Sequence, residues 1–173
     1  ELIQSVCNSV EPLDRFLAVL RFYFSGLSTE RFGKRPYDPI LGEVFRSCFM
    51  HENGGGYTVL VAEHVSHHPP ITALHLCNET LGFKMNSFTA PEPRFWGNSV
   101  EVKLRGVNRI TLEKWDNEEY ELTRPFIHMS GFLAGRHRLE FVGSTSVVCL
   151  KTGVSAEIEF KSKGMLGRGE LNG

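Results

Sequence analysis

A chain of 173 residues is one domain or a large piece of one, and a hydrophobic content of 41% is too high for a disordered chain. A formal net charge of −1 excludes a whole-surface electrostatic grip on nucleic acid or acidic lipid, so any anion site has to be local. No apolar run approaches the roughly 20 residues needed to span a bilayer, and the chain does not open on a basic-then-apolar leader.

The four cysteines, Cys7, Cys48, Cys77 and Cys149, form no CxxC pair. Cys48, Cys77 and Cys149 sit inside apolar runs, where a free thiol packs as a small hydrophobe. A reducing, cytosolic setting is expected, with no zinc knuckle.

Residues 1–30 read as helical. Ser9 or Asn8 is a candidate cap, Pro12 suits a first turn, and Asp14 complements the N-terminal end of the dipole. Leu13, Phe16, Leu17, Leu20, Phe24 and Leu27 recur at three- and four-residue spacing, which gives one apolar face and a helix packed on a core. Gly26 ends the pattern. Residues 31–42 form a loop: two prolines and two glycines prevent regular structure, and Arg31, Lys34 and Arg35 cluster there.

Residues 43–163 carry strand signal almost throughout. The candidates are Val44–Met50, Tyr57–Val65, Ile71–Cys77, Phe83–Phe88, Ser99–Leu104, Arg109–Trp115, Tyr120–Thr123, His128–Leu133, Arg138–Val142, Ser146–Leu150 and Ser155–Lys161. The joints hold Gly, Asn, Asp and Pro, as in Asn53, Asn78, Asp116, Gly135, Gly143 and Gly153. Short strands joined by tight turns predict an antiparallel meander. Val100–Leu104 and Ala156–Lys161 alternate cleanly, so one sheet face is wet and the other buried. A long meander curls into a barrel or leaves open edges, and a wide barrel has room for a ligand. Residues 164–173 are a glycine-rich tail. Lys103, Arg105 and Glu101 read as a solvated face, and Arg136, His137 and Arg138 as a solvated turn.

The segment Glu63-His-Val-Ser-His-His-Pro-Pro is the most informative. A strand runs into His67 and His68 and stops at two prolines. Adjacent strand residues point to opposite faces, so both imidazoles reach one ligand only if the strand breaks, and Pro69 forces that break. Zinc would need further ligands, with Glu63 or His64 nearby but no HExxH pattern. A packing role explains a lone histidine better than a pair. Anion recognition by imidazole N–H groups fits the pair.

This segment resembles the Glu-Gln-Val-Ser-His-His-Pro-Pro signature of oxysterol-binding-protein-related lipid-transfer proteins, with His64 in place of Gln. Lys34-Arg-Pro-Tyr-Asp-Pro-Ile-Leu-Gly-Glu43 resembles a second family block, and Cys149–Phe160 a third. The resemblance implies a mainly β fold, an N-terminal helix followed by an incomplete β-barrel around a hydrophobic lipid tunnel. It implies a carrier and not an enzyme, one that binds one lipid and transfers it between membranes, exchanging a sterol or phosphatidylserine against phosphatidylinositol 4-phosphate. A lipid sensor or membrane tether is the alternative. Carried over by position, the lipid phosphate falls to His67, His68, Lys34, Arg35 and Asp38. Arg35 stands where the family has Lys and grips phosphate bidentately. Asp38 stands where the family has Asn; a carboxylate repels phosphate, and pairing with Lys34 or Arg35, or shaping the turn before Pro39, is its other role. Phe95-Trp-Gly-Asn-Ser99 looks more like the phosphatidylserine branch. No cofactor, metal or nucleic acid is implied. The expected partners are a membrane contacted from the cytosol and either the C-terminal half of the domain or a second copy to complete the barrel. A hydrolase using His67 with Glu63 or Asp38 lacks a Gly-x-Ser-x-Gly elbow, and Ser66 is poorly placed as its nucleophile.

Overall fold

The computed structural model describes residues 1–28, 39–51, 54–132 and 138–162. Lys34, Arg35 and Asp38, the Asn53 turn, the Arg136–His137 turn and the tail lie outside the described residues.

The N-terminal segment is two helices rather than one: α1 (Leu2–Asn8) and α2 (Pro12–Ser28). Ser9 does not cap α2; its hydroxyl donates back to the Ser5 carbonyl at 2.8 Å and closes α1. Pro12 opens α2, where its missing N–H costs nothing, and Asp14 lies in the first turn. The helix runs two residues past Gly26, to Ser28. Its buried stripe is Arg15, Phe16, Ala18, Val19 and Tyr23, while Leu13 and Leu17 are exposed. The sequence pattern missed this because a buried arginine takes a place on the core-facing side.

Ten strands follow: β1 (Val44–Met50), β2 (Tyr57–His67), β3 (Pro70–Asn78), β4 (Phe83–Phe95), β5 (Ser99–Arg105), β6 (Asn108–Leu112), β7 (Glu118–Leu122), β8 (Phe126–Ser130), β9 (Arg138–Cys149) and β10 (Ser155–Phe160). All pairings are antiparallel. Register reveals a meander. Along β4, Ala90 faces Arg105 and Ser87 faces Asn108, so β5 and β6 lie end to end as one interrupted row. Likewise β7 and β8 lie end to end along β9, where Leu122 faces Val147 and Phe126 faces Val142. Several expected boundaries differ, among them Glu113–Trp115, expected to close a strand but forming a 3₁₀ turn after β6. Gly143 is not a joint, since β9 runs through it, and β4 continues through Pro91 and Pro93 to Phe95.

The interruption is a seam across the sheet. Gly106 holds φ +120, and a Cβ there would meet the Phe88 carbonyl oxygen at 2.0 Å, so only glycine fits. That carbonyl accepts from Arg124 Nη1 at 2.9 Å, and the same guanidinium also binds Ser87 and Asn108. Arg124 thereby satisfies the Phe88 carbonyl at the break in the ladder.

On one side of the seam the inner sheet face is core. Register puts Phe83, Ile110, Leu112, Tyr120, Leu122, Val147 and Cys149 on one face, and Ile3, Val6, Phe16, Val19 and Tyr23 of the helices bury against them. A buried ion pair fixes the helices there. Arg15 Nε and Nη2 each donate to a Glu118 carboxylate oxygen at 2.9 Å, and its guanidinium stacks 4.2 Å from the Trp115 ring. The Tyr120 hydroxyl donates to the same carboxylate, and Trp115 Nε1 donates to the Cys7 carbonyl at 3.1 Å. The bidentate fork compensates the desolvation of two charges.

The Arg15 hydrogen bonds hold the Glu118 carboxyl below its ordinary value. A depressed acid stabilises the fold fully above its unfolded value, and this contribution is lost as pH falls through the folded value. Urea denaturation should therefore show stability dropping below about pH 4.5, and Arg15→Met should cost about 3–5 kcal/mol at neutral pH by stranding the carboxylate. A second outcome concerns the thiols. Cys48 is exposed, contrary to its apolar sequence context, while Cys7 and Cys149 are buried, and burial pushes the Cys7 thiol up to about 11. Iodoacetamide with peptide mass mapping should label Cys48 readily and leave Cys7 and Cys149 unmodified in the folded chain.

Candidate functional site

The site forms where β2 turns into β3. The strand ends at His67, His68 and Pro69 make the turn, and Pro70 begins β3. The His68–Pro69 peptide is cis, as in the turn class that places a cis proline third. Ser66 Oγ donates to the Pro69 carbonyl at 2.8 Å and ties the turn.

A register shift between His64 and Ser66 decides which way the histidines face. His64 is opposite Thr72, Ser66 opposite Ile71, and His67 opposite Pro70. Val65 is thus an extra residue, a bulge. Three residues apart on a regular strand, His64 and His67 would point to opposite faces. The bulge returns both to the inner face. Their rings lie edge to face with centroids 5.7 Å apart, and the His67 and His68 rings are 4.6 Å apart.

These three imidazoles line a partly enclosed pocket of about 620 Å³. The rest of its wall is Pro39, Pro70, Thr72, Thr89, Pro91, Val102 and Leu104. The pocket lies on the same sheet face as the core, beyond the seam. Register continues that face from Val102 and Leu104 to Ile127 and Met129, then Leu139 and Phe141. These six are only half-buried, because the helices reach only the other half. The chain entering from the loop is fastened beside the histidines: Gly42 N–H donates to the His64 carbonyl at 2.8 Å, and His64 N–H donates to the Glu43 carbonyl at 3.0 Å.

Of the residues picked from sequence, His67 and His68 come together in this pocket. Lys34, Arg35 and Asp38 lie outside the described residues; Pro39, next in sequence to Asp38, lines the wall. Glu63 is exposed and Ser66 faces away from the pocket. The sequence reading missed the placement of His64, which is 5% exposed and lies between Thr72 and His67. It also missed Thr72 and Thr89. Their signal was the hairpin itself, which pairs residues across Pro69, but a one-residue bulge is not visible in the pattern. Among the described residues no group of histidine, cysteine and carboxylate side chains is arranged to hold a metal ion.

The chain matches the family described as oxysterol-binding protein over residues 1–173. It is 38% identical over 165 residues to oxysterol-binding protein 10 of Dictyostelium discoideum, covering 95% of this chain and 42% of that protein. It is also 38% identical over 168 residues to human oxysterol-binding protein-related protein 5, covering 96% of this chain and 19% of that protein. Among solved structures, the Osh1 ORD domain in complex with ergosterol superposes with a TM-score of 0.80 at 26% identity, covering 94% of this chain and 38% of that one. The Osh3 ORD in complex with PI(4)P from Saccharomyces cerevisiae gives 0.77 at 28% identity, covering 95% and 42%. The chain belongs to the oxysterol-binding protein family, and it spans less than half the length of these relatives.

The geometry makes a labelling order. His67 and His68 are exposed and His64 is buried, so diethyl pyrocarbonate should modify the first two several-fold faster than His64, read by peptide mass spectrometry. Equal rates would contradict the inward placement of His64.

Proposed function

We propose that this chain is part of a carrier that binds one membrane lipid and moves it between membranes, exchanging a sterol or phosphatidylserine against phosphatidylinositol 4-phosphate. The observation that carries the reading is a pocket in which imidazoles converge at one end of an uncovered apolar wall. An imidazole N–H donates to phosphate, and the half-buried wall from Val102 to Phe141 suits a hydrocarbon body. A headgroup at His67 and His68 leaves the apolar part of the lipid on the face beyond the seam. The family's solved complexes with ergosterol and with PI(4)P support both kinds of cargo.

Lys34 and Arg35 join the histidines on the phosphate in this reading, Arg35 as a bidentate donor. Asp38 orients one of these cations or shapes the turn before Pro39. The protein works from the cytosol and touches membranes peripherally; no helix among the described residues is long and apolar enough to cross one. The C-terminal half of the domain, or a second copy, completes the barrel beside this sheet. Binding without net transfer, as a sensor or tether, is the competing use of the same pocket. A hydrolytic use is disfavoured because the Ser66 hydroxyl is committed to the Pro69 carbonyl on the side away from His67.

The test is extraction of phosphatidylinositol 4-phosphate from labelled vesicles by the full-length protein. A charge-assisted hydrogen bond contributes about 1.5–3 kcal/mol, so His67→Ala with His68→Ala should weaken binding at least tenfold, with the circular dichroism spectrum unchanged. Normal extraction by the double variant would overturn the assignment. Transfer between donor and acceptor vesicles separates the carrier from the sensor, which would bind but not deliver.

A further inference from the structure

We infer that His64 is a positioning residue that braces His67 so that a protonated Nε2 faces the pocket. The inference rests on the phosphate reading above and extends it to a third imidazole of the pocket wall, acting through His67. His64 is on the inner face, 5% exposed, and the Val65 bulge puts His67 beside it. Its Nδ1 lies 3.4 Å from Thr72 Oγ1 and its Nε2 lies 3.4 Å from His67 Nδ1. Both contacts are longer than an ordinary hydrogen bond.

Proton counting gives the consequence. Only one proton fits between His64 Nε2 and His67 Nδ1. With that proton on His64, His67 Nδ1 accepts it, and a neutral His67 must carry its own proton on Nε2. With the proton on His67 Nδ1, a neutral His67 turns a bare Nε2 lone pair outward. Phosphate oxygens only accept, so they select the first arrangement. In that arrangement His64 Nδ1 is an acceptor, and the Thr72 hydroxyl, which can rotate to donate, satisfies it. The line Thr72 Oγ1, His64, His67 therefore ends in an N–H available to phosphate. If His67 takes up a second proton on binding a phosphate dianion, His64 Nε2 can accept from Nδ1 while Nε2–H still faces the ligand. His64 therefore supports the donating form in both protonation states. An apolar residue at this position supports neither. A glutamine, whose amide both donates and accepts, can replace the contact.

The experiment uses full-length protein labelled with ¹⁵N-histidine. Long-range ¹H–¹⁵N spectra read the tautomer of each ring, with and without dioctanoyl phosphatidylinositol 4-phosphate. Binding is measured separately on phosphatidylcholine vesicles containing phosphatidylinositol 4-phosphate. In the wild type with ligand, His67 should show a protonated Nε2. His64→Leu should leave His67 as a tautomer mixture in the free protein and weaken vesicle binding about tenfold, with His64→Gln restoring binding to within about threefold. A bare Nε2 on His67 in the ligand-bound wild type overturns the inference even if the leucine variant fails to fold. So does a glutamine variant that binds as poorly as a folded leucine variant. The phosphate reading fails separately, through normal binding by the His67/His68 double variant, because the tautomer of the free protein is read without lipid. A His67 spectral response to inorganic phosphate, without any binding to the lipid-containing vesicles, would reject the lipid as the phosphate source.

Discussion

One extra residue in a strand governs the site. Val65 has no partner in the β2–β3 ladder, and the shift it introduces turns both His64 and His67 toward the inner face. With a regular ladder one of the two would face solvent on the outer surface. The tie from Ser66 to Pro69 then holds His68 at the apex, 4.6 Å ring to ring from His67. Bulges locally increase twist and re-aim side chains, and here that local geometry turns a strand end into a cluster of donors. The joining of the incoming loop to His64 through Gly42 and Glu43 places the chain from Pro39 onward against the same pocket.

The second organising feature is the division of the inner face by the seam at Gly106. On one side α1 and α2 seal the face, fastened by the fork from Arg15 to Glu118 and by the Tyr23 hydroxyl, which donates to the Thr123 carbonyl at 2.8 Å. On the other side, among the described residues, no helix lies over the half-buried wall of Val102, Leu104, Ile127, Met129, Leu139 and Phe141. A rigid, dry half supports an open, apolar half. The histidines sit on the border of the open half, so polar and apolar surfaces meet there.

Much of this was legible in the residues. Alternation in Ala156–Phe160 announced a two-faced strand, although Val100–Leu104, which alternates as cleanly in sequence, is half-buried throughout; Pro12 announced the start of α2, and the His-His-Pro-Pro run announced a strand that stops where two imidazoles meet. What was not legible has physical causes. Nothing in the local pattern marks Arg15 as buried, because its partner Glu118 is 103 residues away. The expected strand stopped at Phe88, yet β4 continues through Pro91 and Pro93 to Phe95, because the ladder tolerates proline wherever its missing donor has no acceptor to serve. The burial of His64 depends on a single bulge, which leaves no periodic trace. Cys48 sits in an apolar run but faces outward, since β1 is an edge strand with little packed on it.

The central claim is that a phosphate-bearing lipid lies with its head at the β2–β3 turn and its body along the open wall. Chemical-shift mapping of the full-length protein with dioctanoyl phosphatidylinositol 4-phosphate tests it most directly. The expected result is perturbation of His67, His68, Thr72 and Thr89 at one end and of Val102, Leu104 and Ile127 along the wall, with the α2-covered residues Leu112 and Val147 unmoved. Perturbations confined to the groove between α1 and α2 around Leu17 and Arg21, with the turn histidines silent, would contradict the account.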